Sequence, residues 1–425
     1  MARRTKRSQA HHHREREIIA VLGRHPPGPE RVHASEGIDT EVRPEGSRSA
    51  SFVPLSLVLV QPTPFCNINC SYCYLDLSSR SDKRRMTADT VEAIANFLRD
   101  VTVREEPLTI CWHAGEPLVV PVSFYERAFQ CFATTPGIPA VRHNFQTNGT
   151  LINDEWCDLF KRWSVRVGVS IDGPQAVHDA SRVDRSGRGT FDRVMRGISR
   201  LREHEVPFHV LSTVTNESLT AADQIWEFYR SHGITRVGFN PEDESGANDE
   251  SSLDSDENLT AFLKFMSRIA ELQESDPAIS VRELDDMRRR LTSPPTTEVG
   301  RSDNRPGSIL NIDVEGNVTT FSPELLGRVH PRYGKFAWGN VHVDSWTEIA
   351  ENPHFQRAYS DIKAGIELCR ETCPYFTVCG GGGPSNKLFE HDTFVAAETE
   401  YCRFHVQAVA DLVIERLEHE IGQPG

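Results

Sequence analysis

Six short apolar runs, each followed by a stretch of helical periodicity, limit what this chain can fold into more than any other feature. They fall at residues 55–61, 108–112, 141–146, 165–171, 208–213 and 236–240. Near-continuous apolar strands need cover, and strands separated by helices are joined in parallel. In the first intervening helix Val91, Ile94, Ala95, Leu98 and Val101 share one face, and Thr87 or Asp89 is placed to cap it. The expected fold class is therefore α/β, a partial (β/α)6 barrel over 53–290. Barrels of this kind carry their chemistry on loops at the C-terminal ends of the strands.

The loop after the first run reads Phe65-Cys66-Asn67-Ile68-Asn69-Cys70-Ser71-Tyr72-Cys73-Tyr74. Three thiolates on one short loop can bind three corners of a cuboidal iron–sulfur cluster. Structural cages normally use four, so a set of three leaves one iron open to a small molecule. Zinc, the alternative, more often pairs its ligands as C-x2-C. The next strand ends offer polar groups in series. His113-Ala114-Gly115-Glu116-Pro117 combines a close backbone approach at Gly115 with a carboxylate for an ammonium group. Gln146-Thr147-Asn148-Gly149 offers amide donors and acceptors, and Ser170-Ile171-Asp172-Gly173 a hydroxyl and a carboxylate suited to ribose. Arg182 downstream can pair with a carboxylate through two bonds. Together these suit a nucleotide-like zwitterion.

The totals exclude several classes. A net charge of −14, from 47 basic and 61 acidic residues, argues against a phosphate-backbone partner. No apolar run approaches the roughly 20 residues that cross a bilayer, and Ile18 to Leu22 make a poor signal-peptide core. The expectation is a cytoplasmic protein with neither a nucleic-acid nor a membrane partner. Ten cysteines in a reducing compartment point to metal or redox chemistry. Cys111, Cys131 and Cys157 are scattered and read as small buried apolar residues. Residues 1–52 lack periodicity and read as a disordered tail, with His11, His12 and His13 a solvated polar run.

After the sixth run comes an acidic loop containing Glu242, Asp243 and Glu244, then a helical pattern over 257–274 and a linker over 291–307. The remainder, 308–425, opens with a predicted hairpin, 309–314 and 318–321, turning at Gly316. It then carries Cys369, Cys373, Cys379 and Cys402 and the run from Gly380 to Gly383, followed by a helix through Val406, Val409, Val413 and Leu417. Four cysteines can saturate one cluster, or one structural zinc.

The cysteine spacing, the aromatic before the last cysteine and the Gly-Glu-Pro strand end resemble the radical S-adenosylmethionine (SAM) enzymes over residues 53–245. That resemblance implies a 4Fe–4S cluster on Cys66, Cys70 and Cys73. It implies Gly115 and Glu116 near the SAM amino group, with Asn148 beside them, Ser170 and Asp172 at the ribose, and Arg182 at the carboxylate. The second cysteine group and its glycines resemble the SPASM extension of peptide-modifying members, a twitch-like α+β unit. A complete SPASM domain carries two clusters. Here Phe321 stands where Gly-x4-Cys would supply a ligand, so one auxiliary 4Fe–4S cluster is expected.

Trp112 to Pro117, Phe321-Ser322-Pro323-Glu324, Cys369 to Phe376 and Glu398 to Cys402 resemble the cyclophane-forming maturases of glycine-rich-repeat peptides, the GrrM/OscB type. This implies a carbon–carbon bond between an aromatic ring and a side-chain β-carbon in a ribosomal precursor peptide, recognised through its leader and core. An external electron donor such as flavodoxin or ferredoxin is implied, and Glu242, Asp243 or Glu244 is placed to accept the proton lost from the ring. The alternatives are another SPASM maturase, forming thioethers or oxidising a sulfatase residue, or a cluster-bearing binding protein without turnover. A strand edge near the hairpin is the expected place for the leader to add by β-augmentation.

Overall fold

In the computed structural model, residues 52–103, 107–293 and 302–422 are described. The predicted tail, apart from Phe52, and residues 294–301 of the predicted linker lie outside them. Six strands, β1 (Leu57–Val60), β2 (Leu108–Trp112), β3 (Val141–Thr147), β4 (Arg166–Ser170), β5 (Phe208–Val214) and β6 (Arg236–Pro241), lie side by side in chain order. Each pairs in parallel with the next. Each coincides with a run read from the sequence. Between them come α1 (Ala88–Phe97), α2 (Val122–Thr134), α3 (Asp154–Arg162), α4 (Gln175–Ser181), α5 (Phe191–Glu203) and α6 (Ala222–Ser231). Of the two candidate caps of α1, Thr87 is the one used, its hydroxyl accepting from the Thr90 N–H at 3.1 Å. Asp89 instead places a negative charge in the first turn, where the helix dipole favours it.

The strands are not covered equally on both faces. In β1, Val58 and Val60 are fully buried while Leu57 and Leu59 are half-buried, and β2 alternates in the same way. The outer face packs on helices, around Trp112, Tyr125 and Phe129. The inner face borders a cavity. This is why near-continuous apolar runs alternate in burial here: the barrel is partial and its interior stays open at the C-terminal strand ends.

Beyond β6 come α7 (Asp256–Ser275), β7 (Ser280–Val281) and α8 (Arg282–Thr292), with β7 adding a seventh parallel strand beside β6. Two residues are too few to show period-2 patterning. The predicted hairpin is present as β8 (Ile309–Ile312) and β9 (Asn317–Thr320), and Gly316 turns it at φ 83°. β8 pairs in parallel with β1. The C-terminal third therefore begins on the barrel's own sheet, which contains ten strands. By backbone contacts, the described residues form one unit. Among the described residues no helix is long and apolar enough to cross a membrane.

Past β9 the chain packs an aromatic cluster before reaching α9 (Pro353–Thr372), α10 (Pro384–His391) and α11 (Val409–Gly422). Phe321, with no exposed surface and a φ of 79°, stacks on Phe355 at 6.2 Å and meets Trp338 edge-on at 5.8 Å. The position where a thiolate would serve a second auxiliary cluster is thus filled by packed rings. Phe321→Ala is expected to cost about 3–5 kcal/mol, the usual range for a buried phenylalanine. Urea unfolding followed by fluorescence checks this, and a loss below about 1 kcal/mol would contradict the packing role.

Candidate active site

The loop after β1 is held by backbone bonds to two other segments. Cys66 N–H donates to the Arg80 carbonyl at 3.1 Å, Asn69 N–H to Val183 at 2.7 Å and Ser71 N–H to Ser181 at 3.0 Å. The end of β2 packs directly on it, with Glu116 N–H donating to the Phe65 carbonyl at 2.8 Å. Gly115 sits at φ 70°, and a Cβ there would stand 2.4 Å from the Thr63 carbonyl oxygen. Its smallness therefore serves the cysteine loop itself. So fixed, Cys66, Cys70 and Cys73 all face a cavity of about 490 Å³ at the C-terminal end of the barrel.

All three thiols are free of disulfides. Burial pushes Cys70 up to about 11, against the pull of Arg182 and Arg80. Burial also raises Cys66, and Glu116 adds to it. Arg182 Nη1 lies 3.9 Å from Cys70 Sγ, and Asn148 Nδ2 lies 3.8 Å from Cys66 Sγ. Half-buried thiols that share a cavity with donors suit coordination to metal, which removes their protons outright. Among the described residues no three His, Cys, Asp or Glu side chains converge on a single ion. A cuboidal cluster takes one thiolate at each corner and holds its ligands further apart.

The other strand ends are brought together, with roles partly different from those expected. Glu116 is buried, accepting from Thr147 Oγ1 at 2.6 Å, Leu118 N–H at 2.9 Å and Asn148 N–H at 2.8 Å. Burial pushes its carboxyl up to about 7, against those bonds. It lines the cavity and also ties β2 to β3. Ser170 lines the cavity too, held by Gln146 Nε2 at 3.0 Å. Asp172 does not line it. Its Oδ2 accepts from Arg182 Nε at 2.9 Å and Tyr72 OH at 2.6 Å, and its Oδ1 from Arg182 Nη2 at 3.2 Å and Thr213 N–H at 2.9 Å. Both oxygens expected at the ribose are thus engaged inside the protein. Arg182 keeps an edge in the cavity wall but spends its fork on Asp172 rather than standing free for a carboxylate.

The acidic loop divides. Glu242 and Asp243 line both the thiol cavity and a small adjoining pocket beside Glu390 and Glu400, whereas Glu244 lines only the latter. Of the three acids expected to accept the proton, Glu244 is the one that does not line the thiol cavity. Glu242 accepts from Ser252 N–H at 3.2 Å and from the Ser252 hydroxyl. Asp243 accepts from Ser245 Oγ at 3.2 Å and from Asn386 Nδ2 of α10 at 2.7 Å. Burial pushes Asp243 up to about 6. Glu324, absent from the sequence-based candidates, faces the same cavity and is pushed up to about 7 by burial, with Asp243 and Asp303 adding repulsion. It lies 81 residues from Asp243 along the chain, so no local pattern could join them.

The second cysteine group also assembles. Cys379 lies close enough to Cys369, Cys373 and Cys402 to influence the titration of each. Buried Lys387 places Nζ 3.3 Å from Cys369 Sγ, and Gly382 N–H donates to Cys379 Sγ at 3.3 Å. Gly380, Gly381 and Gly382 run at φ 76°, 111° and 75°, a path that side chains resist. That path turns an amide toward sulfur. A buried ammonium and an N–H···S bond fit a negatively charged cysteinate cluster.

The Radical SAM superfamily model matches residues 60–229. An uncharacterised protein of Synechocystis is 41% identical over 379 residues, covering 88% of this chain and 94% of that one. The chain belongs to the radical SAM superfamily. The serine-type anaerobic sulfatase-maturating enzyme of Klebsiella aerogenes is 32% identical over 205 residues, 48% of this chain and 51% of that enzyme. The solved structure of native anSMEcpe with bound AdoMet and Cp18Cys peptide superposes with a TM-score of 0.69 at 19% identity, covering 86% of this chain and 99% of that one. This radical SAM enzyme is thus related to the anaerobic sulfatase maturases and SPASM-type peptide modifiers. SAM and a 4Fe–4S cluster are its cofactors.

Removing one partner of a buried ion pair strands the other charge, at a cost of about 3–5 kcal/mol. Asp172→Asn should therefore destabilise the cofactor-free protein by that amount, while Ser170→Ala leaves its unfolding midpoint nearly unchanged. Equal midpoints for both variants in denaturant titrations would contradict the assignment of Asp172 to the scaffold.

Proposed function

We propose that this enzyme matures a ribosomally made precursor peptide by joining an aromatic ring carbon to a side-chain β-carbon. The observation that carries the reading is the Pro323-Glu324 segment in the cavity wall, with Asp243 on the same cavity as the three thiols. That segment belongs to the stretch that resembles the cyclophane-forming maturases. Ring substitution needs a proton acceptor, and these carboxyls are kept near neutrality.

In this reading Cys66, Cys70 and Cys73 hold the SAM-binding cluster, and Cys369, Cys373, Cys379 and Cys402 hold one auxiliary 4Fe–4S cluster. The bound cofactors supply a carbon-centred radical that takes the β-hydrogen and, after bond formation, an acceptor for the surplus electron. The chain's own residues do the rest. Gly115, Glu116, Asn148 and Ser170 orient SAM against the open iron. Arg182 acts beside Cys70 by holding the loop through Asp172 and Tyr72. Half-buried walls keep water from the radical and hold the peptide carbon in reach. Glu324, with Asp243 beside it, takes the ring proton at a carboxylate oxygen. Asn386 fixes Asp243 from the helix that also carries Lys387 to the auxiliary thiols. The peptide, and an external donor such as flavodoxin or ferredoxin, are the partners.

A second reading, oxidation of a sulfatase residue, draws on the 32% identity to the Klebsiella enzyme, over half of that enzyme's length. Mass spectrometry of a co-expressed precursor separates the two: a loss of two hydrogens located between an aromatic residue and a neighbouring side chain supports the crosslink, and formylglycine in a sulfatase peptide supports the alternative.

The carboxyls give a pH test. Both are raised by burial, so the accepting form fills as pH rises through about 6 for Asp243 and about 7 for Glu324. Crosslinked product should fall as pH drops below 7, with 5′-deoxyadenosine formation falling less. Glu324→Gln should cut product by about a hundredfold or more, the usual worth of a general base. Product unchanged in Glu324→Gln and Asp243→Asn would remove both from the chemistry.

A further inference from the structure

A second cavity, of about 360 Å³, lies between the cysteine loop and the C-terminal hairpin. It shares Leu59, Tyr74, Leu75, His113, Ala114 and Pro323 with the cavity that holds the three thiols. The two spaces therefore run past the same side chains, and Tyr74 OH and His113 Nε2, 3.4 Å apart, stand at the division.

In the wall of this second cavity is Asn311 on β8. It is 1% exposed, and neither its amide nitrogen nor its amide oxygen has a hydrogen-bond partner. Its register shows where it points. Asn311 pairs with Leu59 on β1, and Leu59 with Cys111 on β2. Paired residues of neighbouring strands project to the same side of a sheet. Leu59 and Cys111 both line the thiol cavity, so Asn311 faces the interior of the barrel. Leu310 and Ile312 beside it are buried apolar residues.

A buried amide left unpaired costs free energy that no bond returns, so its presence in a cavity wall needs a partner from outside. A carboxamide carries a donor and an acceptor side by side, the complement of a single peptide group. The charges around the cavity balance: Asp82, Asp313 and Glu315 against Arg84, Arg328 and Lys335. Arg84 is moreover tied to Asp82 and Glu315. A balanced rim does not select a phosphate or a strongly charged ligand. At the mouth, Val329 is 69% exposed on the short strand Val329–His330. An apolar lip, a balanced rim and an amide at depth match an extended, largely uncharged stretch of polypeptide.

We propose that this cavity receives an extended segment of the substrate peptide, and that the Asn311 carboxamide pairs with one of its peptide groups, leading the chain past Tyr74 and His113 to the cysteine loop. The inference rests on the peptide-maturase reading and adds the route and the contact.

The test uses cluster-reconstituted, SAM-loaded enzyme and a fluorescein-labelled synthetic glycine-rich peptide with interspersed aromatic residues, read by anisotropy alongside thermal unfolding. Asn311→Leu should weaken peptide binding about tenfold without lowering the unfolding temperature, because the apolar side chain removes an unpaired amide. Val329→Asp, at the exposed mouth, should weaken binding several-fold, and it decides the matter if Asn311→Leu fails to fold. Wild-type affinity in the folded variants overturns the proposal, whatever their unfolding temperatures. If the wild-type enzyme itself binds and modifies no such peptide, the maturase reading falls and this inference with it. Wild-type modification alongside unaffected variants sinks this inference alone.

Discussion

The structure depends on keeping three thiols half-buried, close and unpaired on one loop. Left alone, such a loop would collapse or oxidise. Here it is pinned from several sides: by the β2 end through Gly115 and Glu116, and by backbone bonds to the segments around Arg80 and Ser181. Asp172 completes the clamp, binding Tyr72 from the loop and Arg182 from beyond α4. The buried Asp172–Arg182 pair adds little stability of its own, since desolvation offsets much of its attraction. Its value lies in orientation, because either charge is costly without the other.

The two cysteine groups are built differently, and the difference follows from ligand number. The three-thiol loop opens on a large cavity between strand ends, with room for a ligand at the fourth corner. The four-thiol group is enclosed by α9, the glycine turn and the segment around Cys402, with Lys387 against Cys369. One helix joins the two regions: Asn386 reaches Asp243 in the cavity wall, and the adjacent Lys387 reaches the auxiliary thiols. A change at the second group therefore has a short mechanical path to the acid that faces the first.

Much of this was legible in the sequence. All six barrel strands, the hairpin at Gly316 and the cysteine loop follow from periodicity, turn residues and spacing, because each signal is local. What was missed is non-local. Tyr72 was noted as an aromatic, but its partner lies 100 residues away. Asp172 read as a free strand-end carboxylate, and only the fold shows both its oxygens taken. Glu244 reads like its neighbours, yet it alone of the three does not line the thiol cavity, while Glu324 enters that cavity from the segment after β9. Gly380 to Gly382 read only as part of a glycine run, whereas their left-handed path aims an amide at Cys379. Asn311 gave no signal at all, since an asparagine between Leu310 and Ile312 acquires meaning only from its register with Leu59.

The division of labour between the two thiol sets is the central claim, and paired alanine variants test it most directly. SAM cleavage and crosslinked peptide would be measured in the same reaction with Cys70→Ala and Cys379→Ala enzymes. The account predicts that Cys70→Ala forms no 5′-deoxyadenosine, whereas Cys379→Ala still cleaves SAM and fails to release finished product. Full product from Cys379→Ala, or retained SAM cleavage by Cys70→Ala, would contradict it.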